Sequence, residues 1–232
     1  MARNQSPLLA VLIDADNSSH RWAEAIFDEI ASLGEASVRR IYGDFSRGQM
    51  NGWNDKMPSM ALVPHHQPAN TVGKNSSDIA LVIDAMDLLH TGRFDGFVLV
   101  SSDSDFTRLA SRIREQGVDV YGIGERKTPD AFRKACKRFI FVENLIGAGE
   151  PIGVTKRDSP IDAIPLINNA MQALDPEREW FHLGALGKAL QSNHPDFDSR
   201  TYGCAKLSDL IQKTGRYDTR RSANVVEVRR KD

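Results

Sequence analysis

Residues 8–17 read LLAVLIDADN, an apolar run that ends in two aspartates and an asparagine. A second run, FVLVSSDSDF at residues 97–106, also ends in two aspartates. A buried strand has no local need for carboxylates at its end, whereas Mg²⁺ and Mn²⁺ are held by carboxylate oxygens and water. The two runs therefore predict a divalent-cation site where strands end.

The first 147 residues alternate strand-like and helix-like segments. Most strand candidates are continuous apolar runs, which is typical of strands covered on both faces of a parallel sheet. This order predicts an α/β domain with a doubly wound, mostly parallel sheet, whose active crevice lies beyond the carboxyl ends of the strands. The predicted strands are Leu8–Ile13, Ala36–Tyr42, Met60–Val63, Phe94–Val100, Val118–Gly122 and Phe139–Val142, and the predicted helices are Arg21–Leu33, Ser77–His90, Phe106–Glu115 and Pro129–Ala135.

The chain changes character after residue 147. Residues 148–160 are rich in Gly and Pro and predict a linker between domains 1–147 and 161–232. The second domain has three helical patterns, at residues 161–174, 177–192 and 202–215, followed by two short strand patterns. Three helices and a β-hairpin predict a small α+β winged-helix domain.

Composition is that of an ordinary soluble globular protein, with 232 residues, 26% charged residues and a formal net charge of −1. Cys136 and Cys204 lie far apart without zinc-ligand spacing, which argues against a disulfide framework and a structural zinc site. No apolar stretch has the length of a membrane span, and the first residues, MARNQSP, lack the apolar core of a signal peptide. We therefore expect a cytoplasmic protein without a membrane partner.

Asp14 directly follows the first strand and is the best candidate for a metal ligand. Asp16 has an alternative role as a turn residue or as the cap of the following helix. Asn17 either positions a phosphate or water with its amide or shapes the turn.

Asp78 lies at the start of the apolar helix that follows GKNSSD, residues 73–78. An acid in the first turn of a helix is also explained by the helix dipole, so this position has a structural alternative. If the helix is buried, its N-terminus points toward the same sheet edge as the strand ends. Asp84 lies roughly 120° around the helix from Asp78, which predicts an outer or surface role for it.

Asp103 and Asp105 follow the second run, and one of them can serve as a helix N-cap. Ser102 beside them can donate a hydrogen bond to a carboxylate, a water or a phosphate. Several crowded carboxylates repel one another unless a cation is present or some are protonated. A metal resolves this conflict most simply and permits metal-assisted hydrolysis of phosphoesters.

Three further positions are weaker candidates. Lys74 lies four residues before Asp78, where it can contact a phosphate, although a loop lysine is usually solvent-facing. His65 and His66 form a loop pair that can touch substrate. Trp53 lies in a Gly- and Asn-rich stretch and is a candidate for stacking on a base.

Three motifs in order, LIDADN (12–17), GKNSSDIALVIDAMDL (73–88) and VLVSSDSDFTRLASRIREQGVDVYGIG (98–124), resemble the NYN family of PIN-like nuclease domains. The resemblance covers nearly all of residues 7–146. It implies a PIN-like α/β fold and a ribonuclease that depends on Mg²⁺ or Mn²⁺. By motif position, the family's acidic site corresponds to Asp14, Asp78, Asp103 and Asp105, with Asn17 alongside.

The second domain resembles a LOTUS (OST-HTH) domain, most specifically in PDFDSRTYGCAKLSDLI, residues 195–211. The resemblance implies a winged-helix module that binds RNA or a protein partner. Arg200, Tyr202 and Lys206 are its candidate RNA contacts, although Tyr202 can instead pack in the core.

Together these features predict a metal-dependent endoribonuclease with a C-terminal module that targets RNA. A non-catalytic RNA-binding or scaffold protein is one alternative. The other is a haloacid-dehalogenase-like phosphatase, because VLIDADNS resembles the Asp-x-Asp loop of those enzymes. The oligomeric state and the preferred RNA sequence are left open.

Overall fold

The computed structural model describes residues 6–46, 48–66, 76–145, 157–222 and 225–231. The chain divides into two compact units, Met1–Ala148 and Gly149–Asp232. The predicted linker lies outside the described residues as far as residue 156, so its bounds stay a prediction. None of the described helices is long and apolar enough to cross a membrane.

A six-stranded parallel sheet forms the centre of the first unit, which confirms the predicted α/β class. The strand order is β3-β2-β1-β4-β5-β6, so the chain moves outward in one direction from β1 and in the other from β4. Beyond the carboxyl ends of these two central strands lies the crevice where such sheets bind ligands. The strands are β1 Leu8–Asp14, β2 Glu35–Gly43, β3 Val63–His66, β4 Gly96–Val100, β5 Asp119–Gly124 and β6 Arg138–Phe141.

Helices cover both faces of the sheet. Helices α3, α4 and α5 bury one face, and α1 and α2 bury the other. Every residue of β4 is buried, as its continuous apolar sequence predicts. The helices are α1 Ala23–Leu33, α2 Asn51–Lys56, α3 Ser76–His90, α4 Thr107–Glu115 and α5 Asp130–Ala135.

In this unit one helix was not predicted, and the bounds of one strand were predicted wrongly. Helix α2 was not predicted, because Asn, Gly and Asp are poor helix formers; burial of Trp53, which is 1% exposed, stabilises it instead. The third strand was predicted at Met60–Val63 but lies at Val63–His66. Residues 60–62 form the turn that follows α2, and Leu62 is apolar because it packs into the core.

The second unit is the predicted α+β module. Its helices are α6 Ile164–Leu174, α7 Leu183–Asn193 and α8 Leu207–Thr214, and its antiparallel sheet has the order β7-β9-β8. The predicted hairpin is confirmed as β8 Tyr217–Ser222 and β9 Val225–Arg230. The second helix was predicted to begin at residue 177, whereas Phe181–His182 forms β7, because Phe181 pairs with Val228 and is buried.

Candidate active site

Asp14 is the last residue of β1 and is only 1% exposed. Its Oδ1 accepts hydrogen bonds from the backbone N–H of Asp16 (3.1 Å) and of Asn17 (3.2 Å). Burial raises the pKa of this carboxyl group, and hydrogen bonds from Ser101 and from the Asn17 side chain oppose that rise. The strand end therefore holds a buried carboxylate in a fixed orientation.

Ser101 links the two central strands at their carboxyl ends. Its hydroxyl donates to Asp14 Oδ2 (2.7 Å) and accepts from the backbone N–H of Asp103 (3.0 Å). Ser101 is 2% exposed. One buried hydroxyl thus couples the position of the Asp14 carboxylate to the loop that carries Asp103.

Asp103 is the N-cap of a short 3₁₀ turn, Ser104–Phe106, that leads into α4. Its Oδ1 accepts from the backbone N–H of Asp105 (2.9 Å), so the capping role considered for this pair belongs to Asp103. Asp105 is exposed within the turn. Capping occupies one oxygen and orients the Asp103 carboxylate.

Asp16 ties β1 to the start of α3. Its Oδ2 accepts a hydrogen bond from the Ser77 hydroxyl (2.9 Å). Ser19, not Asp16, caps the short turn before α1. The role of Asp16 is therefore to join two elements of the site, not to begin a helix.

Asp78 lies in the first turn of α3, and its pKa is raised from 3.8 to about 6. Burial is the largest cause, followed by repulsion from the carboxylates of Asp14, Asp103, Asp16 and Asp105. Because Coulombic repulsion weakens with distance, these side chains are near enough to disfavour the charge on Asp78. The fold thus brings all four predicted acids, and Asp16 with them, to one sheet edge.

This donor set suits a hard divalent cation, because it consists of carboxylates that repel one another. Among the residues that the structure describes, no three His, Cys, Asp or Glu side chains form a ready-made coordination group. Mg²⁺ usually keeps several waters and uses only one or two carboxylates. The arrangement therefore fits a hydrated ion better than an enclosed protein cage.

A cleft with about 220 Å³ of empty volume, part of it open to solvent, lies beyond the carboxyl ends of β4 and β5, and none of the four predicted acids lines it. Asn17, Ser101 and Ser102 line its polar side, and Trp22 lines its apolar side. The Ser102 hydroxyl accepts from the backbone N–H of Glu125 (2.9 Å), so it is anchored to the residue that follows β5.

Of the weaker candidates, Trp53 lies away from the site. The prediction that Trp53 stacks on a base is wrong, because its ring is buried and its indole N–H donates to the carbonyl of Ser18 (3.1 Å). Lys74 lies outside the described residues.

One polar cluster beside the acids was not predicted. Asp84 Oδ2 accepts from the Tyr42 hydroxyl (2.7 Å) and lies 2.9 Å from Arg40 Nη1 and 3.1 Å from His65 Nδ1. Burial, and then the neighbouring Asp84, raise the pKa of Tyr42. The cluster joins β2, β3 and α3, which are distant in sequence. The one signal for it in the sequence was Asp84 itself, a carboxylate within a largely apolar helix.

In the second unit, Lys206 is exposed and is the N-cap residue of α8. Arg200 is bound to the carboxylate of Asp198, with a shortest contact of 2.6 Å. The ring of Tyr202 packs against the core of this unit, 6.0 Å from the ring of Phe197. Of the three predicted contacts, Lys206 presents the most accessible charge.

Comparisons with known proteins agree with this architecture. A family model described as the NYN domain matches residues 8–143, and one described as the OST-HTH/LOTUS domain matches residues 158–226. A crystal structure of a protein of unknown function from Vibrio parahaemolyticus is similar, with a TM-score of 0.50 and 19% identity over 60% of this chain and 94% of that chain. This likeness concerns the fold alone. No curated protein matches the chain.

NYN domains are part of the PIN-like nuclease superfamily, and LOTUS domains indicate RNA binding, so the pair indicates a nuclease with an RNA-binding module. With 136 of 232 residues matched by the first model, the chain belongs to the NYN domain family.

Proposed function

We propose that this protein is a divalent-metal-dependent endoribonuclease that hydrolyses RNA phosphodiesters. The observation that carries the proposal is geometric: hydrogen bonds of Ser101 tie Asp14 to the Asp103 loop, and Ser77, next to Asp78, binds Asp16, so these carboxylates gather at the switch point of a parallel sheet. Such crowding is costly without a cation and is typical of functional sites. Family membership supports the nuclease over the phosphatase alternative.

Asp14, Asp78, Asp103 and Asp105 would hold Mg²⁺ or Mn²⁺. When bound, the ion supplies Lewis-acid activation of water and neutralises charge on the phosphate. Ser101 holds Asp14 in place, and Asn17 and Ser102 orient water or a phosphate oxygen from the wall of the cleft. The cytoplasmic location inferred from the sequence is part of the same proposal.

The C-terminal module would bind RNA and raise its local concentration at the nuclease through the connecting segment. Lys206 is the best-placed of the predicted contacts, because its charge is exposed. Lys74 remains a predicted phosphate contact of the nuclease domain.

The deciding experiment measures cleavage of end-labelled RNA in Mn²⁺, in Mg²⁺ and after removal of metal by EDTA. Asp14→Asn and Asp103→Asn should abolish cleavage and leave RNA binding largely intact. Asp87→Asn is the matched control, because it makes the same change at an exposed position of α3. Cleavage that survives EDTA, or that survives both substitutions at full rate, would refute the metal-site proposal.

A second candidate is a non-catalytic RNA-binding protein, which the match of residues 158–226 to the OST-HTH/LOTUS model supports by itself. If the wild-type protein binds RNA and cuts none of it in either metal, this second function replaces the first.

A further inference from the structure

His65 lies in the same row of the sheet as Asp14. Asp14 pairs with Tyr42, and Tyr42 pairs with His65, in the register of three neighbouring parallel strands. The rings of Tyr42 and His65 are 5.0 Å apart, which places both on the α3 face. Two strand spacings separate His65 from Asp14, so their Cα atoms are about 10 Å apart.

Asp84 fixes the orientation of the His65 ring. Its carboxylate lies 3.1 Å from Nδ1 of His65 and 2.9 Å from Arg40, which balances its charge. A carboxylate only accepts hydrogen bonds, so in the neutral imidazole the proton resides on Nδ1. Nε2, the ring nitrogen that is not bound to Asp84, is then an acceptor, and the His65 side chain is 30% exposed.

An acceptor at this position requires a donor on the ligand. Phosphate oxygens are acceptors, whereas the 2′-hydroxyl of every ribose in an RNA strand can donate. A strand bound with its scissile phosphate at Asp14 passes near His65 if it runs along the carboxyl edge toward β3. The surroundings of His65 also lack the excess negative charge of the acidic site, because Arg40 pairs with Asp84.

We infer that His65, oriented by Asp84, accepts a hydrogen bond from a ribose 2′-hydroxyl near the cleaved bond and so helps to distinguish RNA from DNA. This inference rests on the proposed nuclease function and adds to it a residue that selects the sugar. His66, the neighbouring residue, is different: its Nδ1 accepts the backbone N–H of Phe45 (3.3 Å), which leaves the proton of its neutral ring on Nε2.

The test compares kcat/KM for an RNA oligonucleotide with values for a series that carries one 2′-deoxy sugar each, around the cleavage site. His65→Ala should lower kcat/KM on all-RNA substrate about threefold to tenfold, the range of one neutral hydrogen bond. At one position of the series, removal of the 2′-hydroxyl should lower the kcat/KM of the wild-type protein by a similar factor. On that substrate, His65→Ala should cause no further loss.

Two variants guard against a purely structural effect. His65→Gln places an amide oxygen near the site of Nε2 and should recover part of the loss on RNA, and His66→Ala should leave the discrimination between ribose and deoxyribose unchanged. The inference is refuted if His65→Ala lowers kcat/KM equally on all-RNA and on every deoxy substrate, or does not lower it at all. Either result leaves the nuclease proposal intact. Absence of cleavage by the wild-type protein would instead refute the proposed function.

Discussion

The hydroxyl of Ser101 donates a hydrogen bond to Asp14 Oδ2 at 2.7 Å, and both groups are almost completely buried. The same oxygen of Ser101 accepts the backbone N–H of Asp103. A ligand carboxylate in a metal site usually needs such an outer partner to fix its orientation. Ser101 is therefore the residue through which the two central strands act together on the site.

Substitution of Ser101 by Ala should lower Mn²⁺ affinity or RNA cleavage by tenfold to a hundredfold, the range found for outer partners of metal ligands. The Mn²⁺ concentration that gives half-maximal cleavage measures the effect. Ser101→Thr keeps the hydroxyl and should retain more affinity than Ala. Equal half-maximal concentrations in Ser101→Ala and the wild-type protein would contradict this role.

Asp78→Asn should stabilise the metal-free protein at neutral pH, although it removes a predicted ligand. The folded-state pKa is raised from 3.8 to about 6, so the folded state binds this proton more tightly than the unfolded state does. The stability that Asp78 contributes is therefore complete below pH 3.8 and is lost as the pH rises through about 6.

Thermal melting in EDTA at pH 7.5 and at pH 4 measures this effect. The variant should melt at a higher temperature than the wild-type protein at pH 7.5, and the difference should shrink at pH 4. A variant that melts at a lower temperature at pH 7.5 would show that the Asp78 carboxylate is not repelled.

Tyr42→Phe should lower the free energy of unfolding by about 1 kcal/mol, because one hydroxyl that donates to Asp84 is lost. The loss stays small because Arg40 still pairs with Asp84. Urea denaturation measures it. Tyr121→Phe is the matched control: its hydroxyl lies 3.4 Å from Asp119, a weaker contact, so its cost should be smaller. The reverse order would contradict the prediction.

We expect Lys206→Glu to affect RNA binding and Arg200→Ala to affect stability. An exposed lysine that meets a phosphate contributes to salt-dependent binding, so Lys206→Glu should weaken RNA binding and reduce its salt dependence. Arg200 is held by Asp198, so its loss should mainly lower the melting temperature. RNA titrations at several salt concentrations and thermal melts separate the two effects. Unchanged RNA binding by Lys206→Glu would leave the protein-binding role of this module as the better account.

The α/β class with a mostly parallel sheet, and the position of Asp14 and Asp103 where strands end, could be predicted from the sequence. Continuous apolar runs such as β4 predict strands covered on both faces, and the aspartates that follow them must lie at one edge because parallel strands end together. Local patterns carry this information, because a strand that is covered on both faces needs apolar residues at successive positions of its own sequence.

Helix α2, strand β7 and the Asp84 cluster could not be predicted in this way. Each depends on a partner distant in sequence: Trp53 fills the core beneath α1, Phe181 pairs with Val228, and Asp84 meets Tyr42 from another element. Asp16 is a further case: the sequence suggests a turn residue or a helix cap, and its hydrogen bond with Ser77 depends on the packing of α3. The amino-acid pattern thus predicts the acids and the edge of the sheet at which they lie. The packing of α3 against the sheet determines which of them repel Asp78, and the pairing of β1 with β4 brings the Ser101 hydroxyl to Asp14. Both interactions exist only once distant elements are in contact.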